Sequence, residues 1–579
     1  MQGNVIPITE QFNNITQDID RANSEEIVKL LYKSDLEIFN GWEGYQNVLS
    51  SEILAVVQEV SSLAVQYVKP DTKNAGIILS GCGTSGRIAF FISRKFNEFA
   101  KGQNLRPCYR YIISGGDPAL MMSVESCEDD WNAGKRELEN AAEGFDKVLY
   151  VAITCGLSAP FVGGQVEYCL QHLQKFTPYL LGFNPTNQAR SAAIRGTDKV
   201  MLDVALEMEA KGRLLNPVVG PEPITGSSRM KGGTTTKMLL EAIFLTAHQK
   251  AANEATPIPY DDIIKTYLIT LNLTHTKDAE ISSLIKMAGN SLVKGGSVSY
   301  IGWGSLGIMG MIDAAECVPT FGANHDDVRC FLESGYKILR NAQGNLSSQG
   351  EALEIGFDNF IEKRGPKLSK IDTVIFIVQD LSSEQKLGLR RIVELVKSRK
   401  SNIAIIAVNS NNDNWQIHDI FGDSLTINIV LPSTGREQNS NKQFYKFLDQ
   451  CTTEVSFKWV INAVSTGAHI LKGKVYKNCM IDLKLTNRKL FERGVRIVTQ
   501  FSNISSEVAK ECLLKSIYRQ DVLNLNMVEA DVSEHVLKAG YVDRVIPLAI
   551  LLTKGFKVDL GMKMLVDCPI VRECIENCM

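Results

Sequence analysis

Nowhere in its 579 residues does the chain hold an uninterrupted apolar stretch of the roughly 18–20 residues that a bilayer-spanning helix needs. The N-terminus, Met1-Gln2-Gly3-Asn4-Val5-Ile6-Pro7, likewise lacks a basic segment leading into an apolar run. The expectation is a soluble protein with no membrane partner. Its expected location is the cytoplasm, with the nucleus as an alternative that no visible basic import cluster supports. An excess of one charge is also missing, because 62 Lys and Arg stand against 65 Asp and Glu for a net charge of −3. No global basic field is available to hold nucleic acid, which is not expected as a partner, although a local patch is compatible with a balanced total. The thirteen cysteines are odd in number and scatter through apolar segments (Cys108, Cys155, Cys317, Cys330, Cys512). They fit reduced core thiols and not a disulfide framework. Cys574 and Cys578 have no second pair at zinc-site spacing, so no metal is expected.

What the chain does have is strands alternating with helices, the pattern of a parallel sheet covered on both faces. Ala75–Ser80 reads as a buried strand, Gly81-Cys82-Gly83-Thr84-Ser85-Gly86 as a glycine-rich turn, and Arg87–Ile92 as a helix. A second strand, Lys147–Ile153, enters the small-residue loop Thr154-Cys155-Gly156-Leu157-Ser158, and a third is expected over Tyr179–Pro185. About 220 residues further on the arrangement repeats. Ser297–Ile301 enters Gly302-Trp303-Gly304-Ser305-Leu306-Gly307, Ile308–Asp313 continues as a helix, and Asp372–Val378 and Ile403–Asn409 echo the later strands. Duplication of one α/β domain is the simplest account. Residues 9 to 60 and the tail after about 490 carry helical periodicity and are expected to cap the pair. The polar stretch Ser433–Lys442 is the expected mobile loop.

A Gly-Thr-Ser-Gly turn opening a helix gathers backbone N–H groups, two hydroxyls and the positive end of the helix dipole, which together suit a phosphate dianion. The competing reading is a glycine turn kept only for backbone geometry. In the second loop Trp303 and Leu306 replace smaller or polar groups, so that copy is expected to keep the fold without the phosphate. Gly226-Ser227-Ser228-Arg229-Met230-Lys231 offers further hydroxyls and cations just before an apolar helix. No histidine lies in these loops. His325, in Gly322-Ala323-Asn324-His325, is read as loop-stabilising, which argues against an isomerase base.

Gly83-Thr84-Ser85-Gly86-Arg87, Gly226–Lys231 and Ala315-Glu316-Cys317-Val318-Pro319-Thr320-Phe321-Gly322 resemble three signatures of one superfamily. It contains the N-acetylmuramic acid 6-phosphate etherases and the glucokinase regulatory proteins. The resemblance runs from Pro7-Ile8-Thr9-Glu10 through Val464–His469 to Asp482–Phe491, and the duplicated length is similar to the regulatory group. It implies an α/β fold of two tandem SIS-type parallel-sheet sandwich domains with a helical cap from both termini. The expected divisions are 1–45 (N-terminal cap), 46–275 and 276–490 (SIS domains) and 491–579 (C-terminal cap). It also implies fructose 6-phosphate or fructose 1-phosphate held between the domains, no cofactor, and glucokinase or hexokinase as a partner to be inhibited. The contacts carried over are Thr84, Ser85, Glu128, Thr154, Cys155, Gly156, Ser158, Ser228, Glu316, Asn487 and Lys489. Hydroxyls and amides would hold phosphate, Lys489 would add a point charge, and the carboxylates would accept from sugar hydroxyls. The family's apolar contact for glucokinase should fall near Val430-Leu431-Pro432-Ser433, where this chain departs from it. The alternative to a non-enzymatic regulator is an etherase-type carbon–oxygen lyase. In it Glu128 and Glu316 would be the acid and base, with Lys95 in place of the first domain's counterpart of Glu316.

Overall fold

The apolar runs become strands buried on both faces, as a helix-covered parallel sheet requires. In the computed structural model, which describes residues 6–379, 381–409, 417–434 and 442–577, one sheet is built from β1 (Ala75–Gly81), β2 (Tyr109–Ile113), β3 (Lys147–Ile153), β4 (Phe176–Leu181) and β5 (Leu214–Leu215). A second holds β6 (Val298–Gly302), β7 (Val328–Leu332), β8 (Thr373–Val378), β9 (Asn402–Asn409) and β10 (Leu425–Val430). The strand orders are β2-β1-β3-β4-β5 and β7-β6-β8-β9-β10, which is one topology used twice. Ile77 of β1 stands opposite Tyr109 and Leu149, as Tyr300 of β6 stands opposite Cys330 and Ile375. The chain is thus two tandem α/β units with parallel sheets.

Seven helices position the site: α1 (Ser24–Asn40), α2 (Gly83–Gly102), α3 (Lys231–Ala251), α4 (Asp278–Val293), α5 (Gly304–Phe321), α6 (Lys442–Leu471) and α7 (Arg488–Ser502). α6 packs on α4, α5 and α3, and every residue from Cys451 to Ile470 is buried. A helix enclosed on all sides shows no amphipathic stripe, so periodicity does not reveal it. α1 starts at Asn23, whose side chain and Glu26 form a reciprocal capping box, and buries Ile27, Leu31 and Ile38. Its main partner is α4, so the N-terminal helix lies against the second unit.

Periodicity places helix throughout 9–60, but Ile8–Glu10, Asn14–Thr16 and Ile19–Arg21 are single 3₁₀ turns and α1 begins only at Ser24. Asn13 turns its side chain to accept from Ile15 N, a local bond that competes with helix. β4 also sits earlier than the expected strand, ending at Leu181, because the Asn184 side chain is bonded to Thr9 and to Gly156 O. Of the expected mobile loop, residues 435–441 lie outside the described residues. The termini meet: Arg572 pairs with Asp18 at 3.2 Å and Asp20 at 2.7 Å, and Arg21 pairs with Glu576 at 2.8 Å. The free cysteines among the described residues are mostly buried.

Two buried ion pairs join the units through α5. Arg229 Nη1 donates to Asp313 Oδ1 at 2.8 Å, and Arg87 Nη1 donates to Glu316 Oε1 at 2.6 Å. Asp313 also accepts from Asn462 at 2.7 Å, Ser465 at 3.0 Å and Tyr300 at 3.2 Å. Burial raises its carboxyl above the usual range even against Arg229. Removing one partner of such a pair leaves the other charge stranded. Asp313→Ala is expected to destabilise the fold by about 3–5 kcal/mol in denaturant unfolding. A loss below about 1 kcal/mol, the value of an exposed pair, would contradict this placement.

Candidate functional site

Both glycine loops make the same backbone turn. Gly83 (φ +48°) and Gly304 (φ +56°) occupy the left-handed region at the first residue of α2 and α5. A Cβ on Gly81 would stand 2.5 Å from Ser85 Cβ, and one on Gly302 would stand 2.5 Å from Gly307 Cα. Strand and helix therefore approach so closely in either copy that only glycine fits. Backbone geometry accounts for the glycines in both loops; the side chains differ. Ser85 has a buried leucine, Leu306, at its equivalent position.

The first turn of α2 has no side-chain cap, so its leading N–H groups face a cleft of about 730 Å³ counting its open mouth. Ten of the eleven residues expected from the sequence line this cleft: Thr84, Ser85, Glu128, Thr154, Cys155, Gly156, Ser158, Ser228, Glu316 and Lys489. The eleventh, Asn487, is behind the wall. Its Nδ2 donates to Glu128 Oε2 at 3.4 Å, and its Oδ1 caps α7 by accepting from Leu490 N at 2.8 Å. Lys489 Nζ lies 3.5 Å from the same Glu128 oxygen. Thr154 Oγ1 accepts from Ser158 N at 3.1 Å and so shapes the second loop. Glu316 reaches in from the second unit, where Thr84 Oγ1 donates to it at 2.7 Å. The walls come from the first unit, from α5 of the second, and from α7.

Sequence reasoning passes over several members. Arg87 and Arg229 stand within motifs that were singled out, yet their task, gripping the two acids of α5, spans more than 80 residues in either case. Arg493 also lines the cleft, one helical turn beyond Lys489, a spacing that could have revealed it. It donates through Nε to Glu10 Oε2 at 2.8 Å, and Arg496 joins the same carboxylate at 2.7 Å. Burial opposes charge on Glu10, but the two guanidiniums outweigh it and hold the carboxyl at about 2. The N-terminal segment is thereby tied to α7.

The electrostatics suit anion binding. Burial pushes the Cys155 thiol up to about 11 and the Cys82 thiol well above its ordinary range, so neither supplies a thiolate near neutral pH. The neighbouring helix end is already occupied: Glu222 accepts from Lys231 N at 2.8 Å and Gly232 N at 2.9 Å at the start of α3. The α2 terminus is left open toward the cleft, as is the start of the helix Pro160–Gln171, whose N-cap Ala159 also lines it. Lys95, at the position that answers to Glu316 in the duplication, is buried on Glu454 at 2.6 Å and Glu241 at 2.9 Å. Among the described residues no group of three or more His, Cys, Asp or Glu is placed to hold a metal. No helix among them is long and apolar enough to cross a membrane.

A tandem α/β protein with a polar, anion-suited cleft between its units, closed by C-terminal helices, is the class that fold and site define. Residues 57–170 match the N-terminal SIS domain of glucokinase regulatory protein, 275–472 its second SIS domain, and 477–575 its C-terminal lid domain. The chain is 36% identical to the glucokinase regulatory protein of Xenopus laevis, over 99% of this chain and 93% of that protein. It is 37% identical to that of Homo sapiens, over 94% and 88%. Its 29% identity to the N-acetylmuramic acid 6-phosphate etherase of Klebsiella aerogenes covers 40% of this chain and 70% of the etherase. The chain belongs to the glucokinase regulatory protein family.

Burial raises the Glu222 carboxyl from 4.5 to about 7, against the helix-end N–H groups and Lys231. The folded state then holds a proton that the unfolded chain releases, so this group's contribution to stability falls as pH rises from about 4.5 to 7. Glu222→Gln keeps an acceptor oxygen but cannot titrate. The variant is expected to flatten the slope of unfolding stability between pH 5 and 7. An unchanged slope would mean that Glu222 is already ionised throughout that range.

Proposed function

We propose that the chain is a sugar-phosphate-responsive regulator that binds fructose 6-phosphate or fructose 1-phosphate in the cleft and, in one liganded state, inhibits glucokinase. The observation that carries this reading is the uncapped α2 terminus, with Thr84 and Ser85 on it and Lys489 across the cleft. A phosphate dianion there would take the open N–H groups and hydroxyls. The sugar would extend toward Glu128 and Glu316, whose oxygens match hydroxyl groups, with Asn487 holding Glu128 from behind. Within this reading 46–275 and 276–490 are the binding units and 1–45 and 491–579 their caps, and the protein works in the cytoplasm, with the nucleus as an alternative.

The partner is supported by family membership and not by the surface near Leu431. Leu431 is 2% exposed and Val430 43%, and Pro432 and Ser433 follow, so little apolar area is offered there. The etherase reading draws on Glu128 and Glu316 sharing one cleft. Against it, Glu316 already accepts from both Thr84 and Arg87, a poor arrangement for an acid that must exchange a proton with substrate.

Calorimetric titration with fructose 6-phosphate and fructose 1-phosphate is expected to show saturable binding that Ser85→Ala with Lys489→Ala abolishes while the far-ultraviolet dichroism stays native. Undiminished affinity in the double variant would remove the assigned site. Lactate release from N-acetylmuramic acid 6-phosphate would make the protein a lyase.

A further inference from the structure

The duplication supplies its own control for a surface remote from the cleft. In the first unit the helix after β3, Pro160–Gln171, carries no lysine or arginine and is largely buried. The helix Trp131–Ala141 lies on it so tightly that a Cβ on Gly134 would fall 1.9 Å from Phe161 O. Its counterpart after β8, Ser383–Ser398, is packed against the short turns around Gly365 instead of a long helix. It buries only Leu389, Ile392, Val393 and Val396 and turns its other side outward.

That outward side is strongly basic in a chain whose net charge is −3. Between 383 and 400 stand Lys386, Arg390, Arg391, Lys397, Arg399 and Lys400 against Glu384 and Glu394. Among the described residues Arg390, Arg391, Arg399 and Lys400 are exposed and make no ion pair. The adjoining segment adds Lys370, with Lys363 paired to Glu354 and Lys367 3.9 Å from Glu351, and it is fixed against the helix where a Cβ on Gly365 would meet Leu395 at 2.5 Å. In the middle of this field Leu387 stands 70% exposed, on the face it shares with Arg390, Arg391 and Glu394.

We propose that this face docks the protein on anionic phospholipid headgroups at a membrane surface. Exposed cations gain from the negative potential of an anionic leaflet, and an apolar side chain projecting among them reaches the headgroup–acyl boundary. Nucleic acid fits less well. The helix face carries no aromatic side chain for base stacking, and the exposed Leu387 finds no apolar phase on a phosphate backbone.

The test is co-sedimentation of the full chain with phosphatidylcholine vesicles, with and without about 30 mol % phosphatidylserine. Binding is expected only to the anionic vesicles, and to disappear at about 1 M salt, where the screening length falls to about 3 Å. Arg390→Glu with Arg391→Glu is expected to weaken it by at least about 25-fold, since each cation is worth roughly five-fold at such a surface. Native dichroism and unchanged sugar-phosphate titration in this variant exclude misfolding as the cause. Equal binding to neutral vesicles, no binding to anionic ones, or full binding by the double variant would overturn the proposal. So would retention of a DNA duplex by a protein that ignores vesicles.

Discussion

One helix of the second unit, α5, carries two buried acids a single turn apart, and each is gripped by an arginine of the first unit. Asp313 is held by Arg229 and Glu316 by Arg87, all four side chains being nearly inaccessible to water. Burying such charges is costly, and only complete pairing makes it tolerable, so the arrangement specifies one docking of the units over others. The consequence is local as well as global. Arg229 and Glu316 themselves line the cleft, and Arg87 lies two residues beyond Ser85 on α2, so the pairs that weld the units also help to shape the cleft.

The treatment of helix ends then decides where an anion can go. Four helices among the described residues begin in this region: α2, α3, α7 and the helix Pro160–Gln171. At α3 the carboxylate of Glu222 takes the free N–H groups, and at α7 Asn487 does so. At α2 no side chain intervenes. Protein side chains satisfy two of these positive ends, and the two left open, at α2 and at Pro160–Gln171, flank Thr84, Ser85 and the loop Thr154–Ser158. Glu10, bridging Arg493 and Arg496, ties the N-terminal segment to the roof of the same cleft.

Most of the architecture was readable from short-range signals. β1, β3, β6 and β8 are apolar runs, the first three ended by glycine or a small polar residue, and their recurrence at nearly one offset exposed the duplication. Ten cleft residues were likewise reachable because they sit in compact motifs resembling a family signature. What stayed hidden is long-range or lacks contrast. α6 shows no polar face because every side of its central stretch is buried. The pairing of Arg87 with Glu316, 229 residues apart, and of Arg493 with Glu10, 483 apart, has no sequence period. The 3₁₀ turns before α1 broke the helical reading because the Asn13 side chain accepts from Ile15 N and its backbone carbonyl accepts from the distant Asn478 side chain.

The central claim is that one cleft is assembled jointly by α2, α5 and α7. Amide hydrogen exchange with and without fructose 6-phosphate tests it most directly. The account predicts added protection in three separate peptides, at the first turn of α2, around Glu316 of α5 and at the start of α7. Protection confined to α2, or appearing instead around Trp303–Gly307 of the second unit, would contradict it.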